Sequence, residues 1–544
     1  MIRAGLLAAG IALSALACNA QTSSGSFTIS GVVRSVTTGA PLDRAEVTLS
    51  TAGDQETEVA ETATGESGAF RFDGLAAGKY ALAASRRGFI PARYQEHEGG
   101  YSTAIVTGAD QVSEGLPFNL FPTAVMGGTI TDDSGDAVGG AQVTLYRQQQ
   151  QEGETSIVRA DNDSSSDDGS YEFDNLRPGT YYLGVSANPW YAFHPVPRTA
   201  PDGTLVPPDQ QPRSPLDVAY PMTFYANATD SGSATPIQVN AGDHSEMNLT
   251  LHAEPAVHMG IRVPKPDPTR GFSVPQLEQD VFGEEQFLPP TNLTTRVMGD
   301  QMIVDLGSVA PGHYGVREYG PNGATRSGSV DLTSDQMVDL AAAGNVVDVS
   351  GKLELLSGAA LPPATMLELA PGGGNGTLNT AASADGSFDL RAVPAAEYTV
   401  QVTASTGLLD IVQMAASGAE VRGHRIIVGT DPVLLAATLA HGSVSIAGFA
   451  RRDGKGLGGV MILLVPEDAQ DNADLIRRDQ SDSDGSFTLR RVLAGNYTLV
   501  AIEKGWSLEW SRPDVLAPYL ARGVKLHIAG QQQALDLPAP LEVQ

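Results

Sequence analysis

The side chains here that could do chemistry are nine histidines, one cysteine and several acidic loops, and their spacing argues against a catalytic centre. No His-Glu-x-x-His run occurs, so the paired zinc ligands of a helix-borne metallopeptidase site are missing. Gly-x-Ser-x-Gly, the tight turn that presents a nucleophilic serine, does not occur either. Glu96, His97 and Glu98 gather metal-ligand types, but alternate residues of a strand point to opposite faces, so a solvated loop is expected there. Two acidic loops could collect Ca²⁺: Asp161, Asp163, Asp167 and Asp168 lie within 161–170, and Asp482 and Asp484 within 479–485. Neither has the full EF-hand spacing, and both precede an Asp-Gly turn that needs its aspartate anyway. The expectation is therefore no cofactor, with calcium as the minor alternative.

The remaining candidate chemistry is recognition. Residues 187–225 form a long Pro-rich insertion that carries Trp190, Tyr191, Phe193, Tyr220, Phe224 and Tyr225. Loops of this length in compact domains often carry function. Exposed rings on a stiff loop could stack on the apolar faces of sugars. The competing expectation is a local core, because aromatic rings gain most from burial. Trp506 and Trp510 form a second, weaker pair, placed to share a helical face or to cap the last module.

These residues need elements to hold them, and an internal repeat supplies those elements. Four segments share one template: GAFRFDGLAAGKY (68–80), GSYEFDNLRPGTY (169–181), GSFDLRAVPAAEY (386–398) and GSFTLRRVLAGNY (485–497). MIVDLGSVAPGHY (302–314) is a degenerate fifth copy without the opening Gly. Alternating apolar positions face one side of a strand. Asp168, Asp385 and Asp484 precede the opening Gly, and Asp-Gly favours the positive-φ hairpin turn. The slot before the final Tyr holds Lys79, Thr180, His313, Glu397 or Asn496, which marks a solvent-facing turn rather than a catalytic position. A second pattern precedes the templates, as in ISGVVRSVTTGAPLDRAEVTLS (29–50) and VMGGTITDDSGDAVGGAQVTLY (125–146). The repeat recurs at roughly one hundred residues, which suits one small sandwich per copy. The expected modules span 27–122, 124–253, 256–342, 346–440 and 444–541, with junctions of a few residues, so that neighbours touch.

Bulk composition agrees. Sixty Gly and 34 Pro are spread along the chain, which fits many tight turns in an all-β protein. A net charge of −29 repels phosphate backbones and argues against nucleic acid as partner. A single cysteine excludes intrachain disulfides, so each module must stand on its own core. Residues 1–20 read as a secretory signal peptide: Arg3, an apolar run from Leu6 to Ala17, then small residues. No stretch is long enough for a membrane-spanning helix. Cleavage after Ala20 is the preferred reading. Lipidation of Cys18 is the alternative, although Ala15 and Leu16 make an imperfect lipobox. Either way the mature chain is extracytoplasmic: secreted, periplasmic or at the cell surface.

The SGVV opening, the APLDRAEVTL middle and the DGSF…L..G.Y block resemble the carboxypeptidase regulatory-like domain, a transthyretin-like sandwich whose fold is also called carbohydrate-binding-like. The arrangement is similar to large exported multi-module proteins of environmental bacteria, including acidobacteria. The resemblance implies a tandem array of about five transthyretin-like or Ig-like Greek-key β-sandwiches. It implies no peptidase activity, because the regulatory-like domain is an appendage of metallo-carboxypeptidases. Those enzymes bind zinc through His-x-x-Glu, and no histidine here has Glu three residues later. Lys–Asn cross-links of surface-protein sandwiches are not expected: Lys352 is the one first-strand Lys, and 433–440 has no Asn. The chain thus reads as an exported, non-enzymatic binding or adhesion protein of the cell envelope, with glycans or surface proteins as partners. A structural spacer without a dedicated ligand is the alternative.

Overall fold

The computed structural model describes residues 26–53, 55–194, 214–265, 274–288, 292–299, 301–319, 325–339, 346–371, 377–440, 444–529 and 533–544. Strands dominate, and among the described residues there is one α-helix, Pro513–Leu520. The signal-peptide reading and Cys18 fall outside the described residues. No described helix is long and apolar enough to cross a membrane.

The template folds by a chain of local causes. Its opening glycine takes a left-handed φ of +67° to +85° at Gly68, Gly169, Gly386 and Gly485. In the last three copies the aspartate before it closes the turn: Asp168, Asp385 and Asp484 Oδ1 accept the N–H of Ser170, Ser387 and Ser486 at 2.9–3.0 Å. The glycine carbonyl then accepts a first-strand N–H, from Val33, Ile130, Leu353 or Ala450, at 2.7–2.9 Å. The aromatic residue two places on pairs directly with a first-strand glycine: Gly31 with Phe70, Gly128 with Tyr171, Gly351 with Phe388 and Gly448 with Phe487. The ring covers the bare backbone, restoring the packing that a glycine forfeits in a strand. The template's final tyrosine is buried and ties back the turn before it. Tyr80, Tyr181, Tyr314 and Tyr398 donate to the carbonyls of Ala76, Arg177, Ala310 and Pro394 at 2.7–3.1 Å. This is the geometry of a tyrosine corner.

Module one shows the architecture that the others vary. Phe27–Ser35 pairs antiparallel with Ala69–Leu75 and parallel with Leu116–Leu120. Opposite lies a sheet in the order Glu58–Ala63, Glu46–Thr51, Gly78–Ser85, with Ala92–Arg93 and Ile105–Thr107 also on Gly78–Ser85. The two inner faces bury one core around Ile29, Val47, Phe70, Leu82, Ile105 and Phe118. Separate cores of the same kind fill the other four units. In the fourth, Gly407–Ser417 pairs with Glu397–Ala404 and with Val433–Ala440, so its two sheets merge into one of nine strands.

The modules do more than touch in sequence. A hairpin of module three pushes Phe282 into module two, against Tyr146, Tyr182 and Phe224 at ring distances of 4.9–5.6 Å. Modules four and five meet through Arg477 and Asp410 at 3.3 Å and through His424 on Asp474. Module five also reaches back to modules one and two. Lys79 Nζ lies 2.5 Å from Asp482 Oδ2, and Ser511 Oγ donates to Gly153 O at 2.8 Å. Contacts thus join modules remote in sequence as well as the neighbours that the short junctions lead one to expect.

Candidate ligand-binding site

The aromatic insertion of module two begins where the strand Gly179–Ser186 ends. Pro189 is buried and Ala192 N–H bonds to its carbonyl at 3.0 Å, which turns the chain outward. Phe193 N–H then bonds to Leu216 O at 2.8 Å and pins the segment. At the apex Trp190 is 81% exposed and Phe193 61% exposed. Trp190 and Tyr191 stand 5.8 Å apart with ring planes at 88°, forming a corner rather than a flat platform.

The other three rings of the insertion are buried or half-buried, with the Tyr220 hydroxyl beside Tyr191. Phe224 is 1% exposed and takes part in the cluster around Phe282, and Tyr220 is 7% exposed within the core of module two. Tyr225 is half-buried against that core. The expectation that Tyr220 and Phe224 face a ligand is corrected: each removes more apolar area from water inside than it could at a surface. The insertion thus has a local core at its end and an exposed corner at its start.

A polar clamp beneath the corner has no counterpart in the sequence reading. His194 Nδ1 lies 2.9 Å from Asp217 Oδ1, and His258 Nε2 lies 3.4 Å from Asp217 Oδ2. Asp335 Oδ1 accepts the backbone N–H of His258 at 2.9 Å. The Asp217 side chain is 3% exposed, so the aromatic segment is tied through a buried carboxylate to module three. These residues are far apart in sequence and belong to no motif. Only the chemistry of buried carboxylates, which demand partners, could have raised them.

The acidic segments are occupied by their own backbone, and Asp161 and Asp163 lie on the strand Glu154–Ser164 rather than on a loop. Asp163 Oδ2 accepts Glu172 N–H at 3.0 Å, and Asp161 Oδ1 accepts Asn162 N–H at 2.8 Å. Asp168 and Asp484 close the turns described above, Asp482 holds Lys79, and Asp167 stands exposed. Among the described residues no group of three or more His, Cys, Asp or Glu side chains converges to hold a metal. Glu96 Oε2 accepts Arg93 N–H at 2.8 Å, and His97 Nδ1 meets Gln480 at 2.8 Å, so the Glu-His-Glu run belongs to a module seam. Trp510 is buried in a second core of module five, and Trp506 stacks on His97 at 5.2 Å and 12°.

A second cluster lies in module three. Arg317 Nη2 sits 3.0 Å from Glu278 Oε2 and also contacts Glu285, lining a cavity of about 400 Å³ with Asp280 and His313. Burial, with Glu285 alongside, pushes the Glu278 carboxyl up to about 7 despite the guanidinium.

Fold and site define a class: a tandem β-sandwich array with a surface aromatic corner. Residues 28–110 and 125–202 match the family model of the carboxypeptidase regulatory-like domain, and residues 440–517 match that of the second β-sandwich domain of NOMO1-like BOS complex subunits. The chain thus carries regulatory-like domains in its first two modules. No curated protein matches. Among solved structures, the Bacillus anthracis TIE protein is 11% identical with a TM-score of 0.16, over 76% of this chain and 74% of that one. GBS52, a minor pilin of Streptococcus agalactiae, is 15% identical with a TM-score of 0.22, over 44% and 98%. The shaft pilin SpaA of Lactobacillus rhamnosus GG is 9% identical with a TM-score of 0.19, over 42% and 97%. Likeness this slight says nothing about function.

Proposed function

We propose that this chain is an exported, non-catalytic binding or adhesion protein of the cell envelope, and that the Trp190–Phe193 corner of module two is its ligand contact. The observation that carries this reading is the exposure of Trp190 and Phe193 on a segment held from below by the buried Asp217. An exposed indole forgoes the gain of burial, and two large exposed rings on a clamped loop are the anatomy of a recognition surface. The ligand class proposed is a glycan: a pyranose face on Trp190, with Tyr191 standing edge-on beside it. Repetition of the modules supports adhesion through reach and avidity, without new chemistry. The enzyme reading has no support in the sequence motifs. Export rests on the N-terminal segment, with release after Ala20 or tethering through Cys18.

A glycan array probed with the full mature chain tests this. Binding to a defined set of sugars that Trp190→Ala reduces at least tenfold, with unchanged thermal unfolding, is expected. Equal signal across all sugars, or no effect of Trp190→Ala, leaves the structural-spacer reading in its place. The mass of the mature N-terminus from the same preparation separates an end at Gln21 from a lipid on Cys18.

A further inference from the structure

We propose that module five is a releasable latch: docked on modules one and two it closes the array, and undocked it leaves an extended chain of intact modules.

The docking is direct and made by residues remote in sequence. Asp482 takes Lys79 Nζ at 2.5 Å and the N–H of Ala104 at 3.2 Å. The same loop returns Ser483 N–H to Ala104 O at 2.9 Å, and Ser483 Oγ accepts Val106 N–H at 2.8 Å. The turn of module five thus sits against the end of the strand Ile105–Thr107 in module one. Gln480 Nε2 donates to Gln95 O at 2.8 Å and to Thr103 Oγ1 at 2.9 Å. Arg478 pins three parts together: it lies 5.3 Å over Tyr101 of module one, 5.0 Å over its own module's Trp510, and its guanidinium bonds to Glu152 of module two. Gly153 fits flush beneath Trp510, where an added Cβ would stand 2.5 Å from the indole.

What makes this joint the releasable one is its composition. The joint between modules two and three has a hydrophobic cluster running across it, with Tyr146 and Phe224 on one side and Val281 and Phe282 on the other. No such cluster crosses from module five to module one or two among the described residues; the cores on either side are separate. The seam is ionic, hydrogen-bonded and stacked, the character of transient rather than permanent interfaces. Undocking returns its polar groups to water and, of the core residues, uncovers Trp510 where Gly153 covers it. It does bare Tyr101, Trp506 and Arg478, residue types that dominate the energetics of protein contacts.

The test uses the mature chain expressed from Gln21, which lacks the protein's one cysteine, Cys18. Ala104→Cys with Ser483→Cys should be joined rapidly by a short bis-maleimide. Lys79→Glu with Glu152→Arg sets like charges against Asp482 and Arg478, at side chains 42% and 73% exposed, so the module folds are spared. Small-angle scattering of the wild type should give a compact particle; a single globule of this length has a radius of gyration of about 24 Å. The double variant should raise the wild-type radius at least about 1.5-fold and slow cross-linking about tenfold, with circular dichroism unchanged. An extended wild-type particle, or a variant as compact and as fast to cross-link as the wild type, overturns the latch. If the variant loses its β-sheet signal, failure of the cysteine pair to cross-link in the otherwise unaltered chain overturns it independently.

Discussion

Replacing Gly386 by alanine probes the repeat's folding logic at its tightest point. Gly386 has φ +85°, and a Cβ there would lie 2.1 Å from Leu353 O. The same residue's carbonyl accepts Leu353 N–H at 2.9 Å, so the first strand cannot retreat without losing that bond. The left-handed conformation costs an L-residue about 1–2 kcal/mol. Losing the hydrogen bond adds about 0.5–1.5 kcal/mol. The sum, roughly 1.5–3.5 kcal/mol, is a large part of a domain's total of about 5–15 kcal/mol. Gly358 is the control: its φ is +71°, but nothing lies within 4 Å of an added Cβ, so only the conformational cost applies. Hydrogen exchange resolved by module is the assay, because a five-module chain does not unfold in two states. Exchange of Val349, Leu367 and Val400 amides should accelerate roughly 10- to 400-fold in Gly386→Ala, and several-fold less in Gly358→Ala. Equal effects of the two substitutions would refute the claim that contact with the first strand, rather than φ alone, fixes this glycine.

Two further outcomes are expected. Tyr398→Phe leaves Pro394 O without its donor and should cost module four about 1 kcal/mol, read as faster exchange in module four alone. Module three should lose stability as pH rises. Glu278 in the fold holds its proton up to about 7, whereas an unfolded glutamate releases it near about 4.3, so folding takes up a proton between those values. That contribution is complete below the unfolded value and is lost as pH climbs through about 7. Exchange in module three at pH 5 and 7.5, corrected for intrinsic rates, should show it, and Glu278→Gln should flatten the difference; a wild type most stable at pH 7.5 would contradict it.

The all-β class and the template strands were legible because they are written in local code. Asp484–Gly485 is a turn wherever it occurs, Phe487 and Leu489 alternate inward, and Tyr497 is buried as the apolar phase demands. The aromatic-over-glycine pairs were present in the same strings, as SGVV (30–33) before SGAF (67–70) and VSGK (349–352) before DGSF (385–388), and needed only the pairing register to be seen. What stayed hidden depends on residues that meet only after the modules pack. Nothing in the run around Gln480 points to Thr103, and nothing near His194 points to His258. Phe224 and Trp190 are equally aromatic and sit in one insertion. Phe224 lies on a strand paired with Gly179–Ser186 and is packed by its own module and by Phe282 from the next, whereas Trp190 lies outside any strand and stays exposed.

One strand relation recurs in all five units. The opening strand runs parallel to the closing strand beside it: Phe27–Ser35 with Leu116–Leu120, Ala124–Asp132 with Leu249–Leu251, Val257–Pro264 with Gln336–Asp339, Val346–Leu355 with Val433–Ala440, and Val444–Arg452 with Ala534–Asp536. The polypeptide therefore enters each sandwich at one pole and departs from the other. Tension on the two ends slides these neighbours lengthwise, straining every bond of the ladder at once instead of unzipping them singly. Rupture under load is a matter of unfolding rate, and this geometry raises the barrier that sets it. A pull on the two ends of such a chain would load each unit along its opening and closing strands rather than across them.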